Sequence, residues 1–397
     1  MRRRAWACSI RRMQYDFDTV HERRGTDSSK WARFPADVIP MPVADMDFLS
    51  PEPVRRALRE RVEQGFYGYG RANEEFLEVF TGRLRRRYGW DVSKDALMTL
   101  PGVIPGFNMG LRAVTKPGDS MVVQLPSYGP ILNSWKHHGI VRHDAMLVRD
   151  PSGRYEIDWP SFEAAFGRTT RAFVLCNPHN PVGRVFSPEE LRRMAEICLA
   201  HDAWIISDEI HCDLVLDGNR HTPVASLSPE IAARTITLMA PSKTFNLAGL
   251  KSAVAIIPDA DLRAKFEAAK GGLVGAVNVL GSAAMTAAYR DCDGWLEALT
   301  GYLTENRDYL TGFVGERMPG VTVYPAEATY LAWLDCNALG LPGNDAFGWF
   351  LDHARVGLGE GSNFGPPGEG FVRLNFGCPR ALLQEGLERM ATALAAR

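Results

Sequence analysis

Two short stretches decide the fold: residues 203–211 read AWIISDEIH, and residues 235–243 read TITLMAPSK. In each stretch, mainly apolar residues come first, and charged or polar side chains follow directly. Apolar runs that do not alternate with polar residues are typical of central strands, which are covered on both faces of a parallel sheet. We therefore predict strands over residues 203–207 and 235–239, with the polar residues at their carboxyl ends.

The flanking sequence repeats this pattern and adds a helix. Similar apolar runs occupy residues 121–125, 172–176 and 253–257. Between two of the runs, Ser187 is a suitable N-cap, Pro188 suits the first helical position and Glu190 completes a capping box. The spacing of the apolar residues that follow predicts one helix face in the core.

The order of these elements predicts the fold class. Strands alternate with helices over roughly residues 95–260, which indicates a doubly wound α/β domain. The Gly- and Pro-rich stretch of residues 357–370 is predicted to be a loop, and Phe371–Asn375 after it is predicted to be one more strand. The part of the chain from about residue 291 therefore reads as a separate α+β unit.

Charge and composition exclude several kinds of partner. The 397 residues carry 45 Lys and Arg against 47 Asp and Glu, a net charge of −2. A near-neutral chain has no global electrostatic attraction to nucleic acid or to an anionic membrane. Residues 271–289 contain no charged side chain, but their glycines, Asn278 and Ser282 make them a poor membrane span. We predict a buried helical stretch there, and no nucleic-acid or membrane partner.

The seven cysteines are scattered along the chain and form no C-x-x-C pair. Disulfide frameworks and zinc ribbons need cysteines at short, regular spacings, so the pattern argues against both. The cysteines thus predict a reducing compartment, and we expect a cytoplasmic enzyme.

Four side chains follow the predicted strands, Asn177 and Asp208 directly and Tyr128 and Lys243 within about four residues. Ligands of open α/β sheets bind beyond the carboxyl ends of the strands, so we expect these four to lie close together. The set suits pyridoxal 5′-phosphate (PLP). A lysine bonds to its aldehyde, a carboxylate keeps its pyridine nitrogen protonated, an amide can bind its phenolic oxygen and an aromatic side chain can stack on its ring.

The phosphate of PLP needs backbone N–H groups at the start of a helix. Residues 100–106, LPGVIPG, open a helical pattern and offer such a turn. Ser242 and Lys251 can add a hydroxyl group and a positive charge. The residues alone therefore already favour a PLP site.

Six segments carry a resemblance to a known family: DVIPMPVADMDF (37–48), YGYG (67–70), NPHNPVGRVFSPEEL (177–191), SDEIHCDLVLDG (207–218), PSKTFNLAGLKS (241–252) and VRLNFGCPR (372–380). Over about residues 13–397 the sequence resembles the fold-type I PLP enzymes of the class I/II aminotransferase superfamily. Within that superfamily it is most similar to the MalY/PatB group of cystathionine β-lyases, which are also called carbon–sulfur lyases.

The resemblance implies a role for each candidate residue. Lys243 corresponds to the Schiff-base lysine, Asp208 to the partner of the pyridine nitrogen, Asn177 to the ligand of the phenolic oxygen and Tyr128 to the aromatic side chain on the ring. The other residues implied at the site are the phosphate ligands Gly102, Val103, Ile104 and Ser242, the cofactor-side His211, and Arg373, which with Asn177 binds the substrate and grips its α-carboxylate.

The resemblance also implies an architecture. A large PLP-binding domain of residues 49–290 has a mostly parallel, seven-stranded sheet between helices, and residues 13–48 and 291–397 form a smaller α+β domain. Residues 1–12 are expected to be a disordered extension. Tyr69 matches a tyrosine that reaches the phosphate from the other subunit, so the resemblance implies a homodimer.

Two motifs favour a lyase over an aminotransferase. Aminotransferases of the superfamily usually read Asp-Glu-x-Tyr after the third strand, whereas this chain has His211 at the fourth position, the form seen in the lyase group. The run from Asp45 to Phe48 is a second lyase-group feature. The chain departs from the group at Pro42 and Phe186, where tryptophan is common. Both positions are near or flank the substrate side in the family, so the substrate stays open.

The sequence thus predicts a PLP-dependent carbon–sulfur β-lyase that cleaves L-cystathionine or a related S-substituted L-cysteine to a thiol, pyruvate and ammonia. The alternatives are a PLP-dependent aminotransferase of an amino acid and an enzyme that processes a cysteine S-conjugate in a specialised pathway. A catalytically inactive protein on the same fold is disfavoured because the chemical residues are present. A metal site around Asp208 and His211 is disfavoured because neighbouring strand residues face opposite sides, and we predict no metal.

Overall fold

The computed structural model describes residues 15–397, so the predicted extension of residues 1–12 lies outside the described residues. The strands are β1 (Ile39–Pro40), β2 (Leu97–Leu100), β3 (Ser120–Leu125), β4 (Val141–Arg149), β5 (Tyr155–Ile157), β6 (Thr170–Cys176), β7 (Trp204–Asp208), β8 (Thr235–Met239), β9 (Ala253–Ile256), β10 (Thr322–Val323), β11 (Leu331–Asp335), β12 (Val356–Gly357), β13 (Gly359–Glu360) and β14 (Phe371–Asn375).

The α-helices are α1 (Glu52–Glu63), α2 (Glu74–Tyr88), α3 (Val103–Val114), α4 (Gly129–Asn133), α5 (Trp159–Ala164), α6 (Pro188–Ala200), α7 (Pro229–Ala232), α8 (Pro241–Thr244), α9 (Ala260–Lys270), α10 (Val279–Asp291), α11 (Asp293–Arg317), α12 (Ala346–Ala354) and α13 (Arg380–Ala395). Short 3₁₀ turns join several of them.

A mixed sheet of eight strands, in the order β2-β9-β8-β7-β6-β3-β4-β5, forms the centre of the molecule. The five strands from β8 to β4 in this order run parallel to one another. Apolar residues on both faces of these strands are buried. The predicted α/β class with a mostly parallel sheet is confirmed.

The sheet has one strand more than the predicted seven. The additional strand is β5, which has only three residues and pairs antiparallel with β4 at the edge of the sheet. Its sequence, Tyr-Glu-Ile, is too short to give a recognisable apolar run.

β9 is an interior strand, as its apolar run predicts, but the predicted parallel direction is wrong. β9 runs antiparallel to both of its neighbours, β8 and β2. Its apolar sequence reflects burial on both faces, and burial does not depend on strand direction. The link from β8 to β9 contains only the short helix α8 and a 3₁₀ turn. A parallel β9 would need a longer crossover connection to begin at the same edge of the sheet as β8.

The helix predicted after Ser187 is confirmed as α6. The Glu190 N–H donates to Ser187 Oγ over 3.2 Å, and the Ser187 N–H donates to Glu190 Oε2 over 2.7 Å, which completes the capping box. The predicted face of this helix is buried through Leu191, Met194, Ala195 and Cys198.

A second, antiparallel sheet in the order β10-β11-β14-β13 holds the predicted strand Phe371–Asn375. In this sheet Arg373 pairs with Trp333 on one side and Gly359 on the other. β1 pairs with β12, so the segment after Ile39 runs alongside this second sheet. This pairing brings the N-terminal segment and Arg373 towards the carboxyl ends of the central strands.

The uncharged stretch of residues 271–289 is only partly buried. Its second half forms most of α10, which buries Ala284, Met285 and Ala288. Its first half lies at the surface, where Leu273 is largely exposed, so the prediction of a wholly buried stretch is wrong there. Among residues 15–397, no helix combines the length and apolarity that crossing a membrane requires.

Candidate active site

A cavity of about 750 Å³ opens beyond the carboxyl ends of β6, β7 and β8, between the central and the second sheet. Most of the predicted site residues line this cavity. They are Gly102, Val103, Ile104, Tyr128, Asp208, His211, Ser242, Lys243 and Arg373. The cavity therefore brings together residues from both sheets and from the N-terminus of α3.

One end of the cavity suits a phosphate group. Gly102 is the N-cap of α3, and its φ of +151° lies in a region that favours glycine. The backbone N–H groups of the first turn of α3 start here, and Ser242 and Lys251 line the same cavity. A helix N-terminus together with a hydroxyl and an ammonium group forms an anion-binding end.

Asp208 is the last residue of β7, and its side chain is only 4% exposed. Its Oδ1 accepts a hydrogen bond of 3.1 Å from the Ile210 N–H. Burial raises the pKa of Asp208 to about 7, and the Ile210 hydrogen bond and the charge of Lys243 offset this only in part. The protonated ring nitrogen of PLP is a cation of the kind that this buried carboxylate needs.

Lys243 lies in the short helix α8, directly after β8. Its Nζ donates a hydrogen bond of 2.6 Å to the Ala44 carbonyl oxygen. Burial lowers the pKa of Lys243 to about 8, and the positive charge of Arg373 acts in the same direction. The amine therefore reaches its neutral, nucleophilic form near physiological pH.

Arg373 is buried, with 7% of its surface exposed, so it is not the solvent-facing arginine that strand alternation alone would allow. Its NH1 donates to Asn180 Oδ1 over 3.0 Å, and its NH2 donates to the Pro42 carbonyl oxygen over 2.7 Å. Its Nε is buried without a partner in the described part of the chain, and burial lowers the pKa of Arg373 to about 10. A buried guanidinium with an unused N–H group fits a substrate carboxylate.

The amide at the cavity wall is Asn180, whereas the sequence pointed to Asn177. Asn177 follows β6 directly, and its Oδ1 accepts a hydrogen bond of 3.2 Å from the Phe186 N–H. It is not among the cavity-lining residues, although its Nδ2 has no partner within residues 15–397. Asn180 lines the cavity and contacts Arg373 because the turn after β6 carries it there. The sequence signal that could have identified Asn180 is the second Asn-Pro pair of the NPHNP motif at residues 177–181.

His211 faces the cavity as a buried side chain. Its ring packs edge-on against Tyr330 with a centroid distance of 6.2 Å, and its Nδ1 has no partner in the part of the chain described. Burial and the charges of Lys243 and Arg373 lower the pKa of His211 to about 3. The imidazole is therefore neutral and offers either a donor or an acceptor to a bound molecule.

Glu209 lies outside the cavity, and its carboxylate makes hydrogen bonds inside the protein. Its Oε2 lies 2.7 Å from His221 Nε2, and its Oε1 accepts from Ser207 Oγ over 2.9 Å. Asp208, the last residue of β7, thus faces the cavity, and Glu209, which follows it, does not. No group of three or more His, Cys, Asp or Glu side chains within residues 15–397 is arranged to hold a metal ion.

Besides Asn177, the predicted site residue Tyr69 and the family departure Phe186 lie outside the cavity. Tyr69 is fully exposed on the loop between α1 and α2, so its hydroxyl group does not serve the cavity of its own chain. Phe186 is buried and packs against His179, so only Pro42 of the two departures from the lyase group lines the cavity.

Comparison with known proteins agrees with this geometry. The sequence profile of the aminotransferase class I and II family matches residues 36–390. The chain is 41% identical over 388 residues to cystathionine β-lyase PatB from Bacillus subtilis, covering 96% of this chain and 100% of the relative. It is also similar to two solved structures that contain PLP. Cystalysin from Treponema denticola superposes with a TM-score of 0.93 and 32% identity, and a C–S lyase from Staphylococcus hominis with 0.90 and 33%. Each covers 96% of this chain and 99% of the other.

Proposed function

Because the chain belongs to the class I and II aminotransferase family, and within it to the group of the cystathionine β-lyases, we propose that it is a PLP-dependent carbon–sulfur β-lyase. It cleaves L-cystathionine or a related S-substituted L-cysteine to a thiol, pyruvate and ammonia. The observation that carries the proposal is the placement of Lys243, Asp208 and Arg373 on the wall of one cavity.

The residues present fit PLP at each of its polar groups. The N-terminus of α3 with Ser242 would hold the phosphate, and Asp208 would face the ring nitrogen. Tyr128 would stack on the ring, and we propose Asn180 in place of Asn177 as the amide that reaches the phenolic oxygen. When bound, PLP supplies a positively charged ring that stabilises negative charge at the substrate Cα.

Three side chains then bind the substrate and move the protons of the reaction. Arg373 binds the substrate α-carboxylate with its fork of N–H groups and so fixes the orientation of Cα. Lys243 Nζ, which is neutral above its pKa of about 8, takes the proton from Cα as the general base. Asp208 holds a proton on the ring nitrogen through its negative charge.

Loss of the Cα proton is followed by cleavage of the bond between Cβ and sulfur, and the electron pair of that bond leaves with the thiolate. The remaining aminoacrylate is hydrolysed by water to pyruvate and ammonia. No keto-acid acceptor is consumed, which separates this reaction from transamination.

The purified enzyme loaded with PLP is expected to release pyruvate from L-cystathionine without any added keto acid. The measurement is the oxidation of NADH by lactate dehydrogenase as it reduces pyruvate, with free thiol quantified in parallel. Equal amounts of thiol and pyruvate support β-elimination. Turnover that requires a keto acid would overturn the lyase proposal in favour of an aminotransferase.

We further propose a homodimer in which Tyr69 binds the phosphate of the partner's cofactor. Support comes from an exposed aromatic and apolar patch that comprises Val62, Phe66, Tyr67 and Tyr69. Large exposed apolar side chains that cluster in this way are typical of interaction surfaces. A fully exposed tyrosine on the patch suits a role across a subunit interface.

Mixed dimers test the shared site. A dimer of one Lys243→Ala chain and one Tyr69→Phe chain is expected to contain one intact site, with wild-type PLP affinity and about half of the wild-type activity. The Tyr69→Phe homodimer should bind PLP about tenfold more weakly, because it loses a charge-assisted hydrogen bond to phosphate. A mixed dimer whose active site has the weakened affinity of Tyr69→Phe would show that each site is self-contained. PLP affinity follows from titration of the apoprotein.

We also propose that the enzyme works in a reducing compartment, with the cytoplasm as the expected location. The proposal is supported by buried free thiols at Cys176, Cys198, Cys212, Cys292, Cys336 and Cys378.

A further inference from the structure

The proposed chemistry leaves two charged residues of the cavity without a role. Arg33 and Glu360 both line the cavity, and both are exposed at its mouth. The substrate α-carboxylate is already assigned to Arg373, and the phosphate end has Ser242 and Lys251. A second cation and an anion at the mouth are therefore available to another part of a bound molecule.

The two residues lie on the substrate side of the cavity. Gly359 pairs with Arg373 and Glu360 pairs with Val372, so Glu360 is a strand neighbour of the carboxylate-binding arginine. The ring of Phe34 touches Gly357, where a Cβ atom would lie 2.7 Å from the ring. Arg33, next to Phe34, is therefore beside the same segment, which runs into Gly359 and Glu360.

Neither charge is neutralised within residues 15–397. The guanidinium of Arg33 lies 5.5 Å from the centre of the Phe34 ring and has no carboxylate partner there. The carboxylate of Glu360 accepts hydrogen bonds from Ser362 Oγ over 2.6 Å and from Asn363 Nδ2 over 3.2 Å, both of which are neutral. Both charges are free to bind groups of a substrate.

Two small residues line the cavity wall beside Arg373. They are Pro42, whose carbonyl oxygen accepts a hydrogen bond from Arg373, and Gly359, which pairs with Arg373 between neighbouring strands. Neither residue has a long side chain, so the wall beside Arg373 leaves room for a substituent on the substrate sulfur. A long substituent on the substrate sulfur can extend through this space to the mouth.

We propose that Arg33 and Glu360 form a subsite for the far end of the S-substituent, and that they select thioethers that end in an α-amino-acid group. Arg33 binds the distal carboxylate and Glu360 binds the distal ammonium group. The inference rests on the proposed lyase function, which it deepens by naming the residues that select among S-substituted cysteines. Both residues are specificity determinants, since they lie away from the bonds that break.

The first test compares two substrates that differ only beyond the sulfur atom. Arg33→Gln is expected to lower the ratio of kcat/KM for L-cystathionine to kcat/KM for S-ethyl-L-cysteine about tenfold, through KM, because one charge-assisted contact is lost. Glu360→Gln should lower the same ratio. Arg168→Gln is the matched control, because Arg168 is an exposed arginine outside the cavity, and its ratio should stay at the wild-type value.

A binding measurement separates this inference from the proposed function. 2,7-Diaminosuberate and L-norleucine copy the two substrates with carbon in place of sulfur, so neither has a thiol to lose. Calorimetry on the PLP-loaded enzyme should show that Arg33→Gln weakens diaminosuberate binding and leaves norleucine binding unchanged. Equal effects on both compounds, or no effect on either, would overturn the subsite. Pyruvate from neither thioether would overturn the lyase proposal, while the two analogues would still report on the subsite.

Discussion

Replacing Lys243 with alanine is expected to lower turnover by at least about 10⁴-fold. The variant loses both the nucleophile that bonds to the PLP aldehyde and the base that takes the Cα proton. The fold should persist, because Lys243 makes one side-chain hydrogen bond, to the Ala44 carbonyl oxygen, and lies in a short helix at the cavity wall. PLP should still bind through the phosphate end of the cavity.

Three measurements check this prediction. Pyruvate release gives turnover, the visible absorbance of the loaded protein reports the bond between lysine and PLP, and borohydride reduction should no longer attach PLP to the chain. Lys116→Ala, which removes an exposed lysine, is the control and should behave as wild type. A small added amine should restore part of the turnover if the missing group is a base. Wild-type turnover of Lys243→Ala without an added amine would contradict the assignment.

The catalytic centre was predictable because strand ends can be read from the sequence. Asp208 ends a buried strand and Lys243 follows the next one, so the rule that ligands bind at carboxyl ends placed both on one rim. The family resemblance added Arg373, which no local pattern identifies. Its register opposite Gly359 and its burial depend on how the second sheet packs against the first.

Three features needed the structure because they depend on direction and long-range packing. The apolar sequence of β9 reports burial on both faces and does not report strand direction. In the turn after β6, both asparagines precede proline, and only the path of the backbone brings Asn180 rather than Asn177 to the cavity. Arg33 and Glu360 are more than 300 residues apart in sequence, and they share the mouth only because β1 pairs with β12.

Asp208→Asn is expected to lower turnover by about 10²-fold or more while PLP stays bound. The amide has nearly the same shape as the carboxyl group, so packing around β7 is retained. Asparagine carries no negative charge, so it cannot hold the proton on the ring nitrogen, and the ring then accepts less of the charge that develops at Cα. Asp261→Asn, an exposed position in α9, is the control and should keep wild-type turnover.

The same substitution has a second consequence that does not depend on turnover. Burial raises the pKa of Asp208 to about 7 in the folded chain, above its ordinary value of 3.8. A raised pKa stabilises the fold at low pH, and this stabilisation is lost as pH rises from about 4 through about 7, because the buried carboxyl group must ionise. The Tm of the wild-type apoprotein should therefore fall more over this range than the Tm of Asp208→Asn, and bound PLP should remove the difference by supplying a cation. Parallel Tm profiles of the two apoproteins, together with normal turnover of the variant, would take Asp208 out of the role of ring-nitrogen partner.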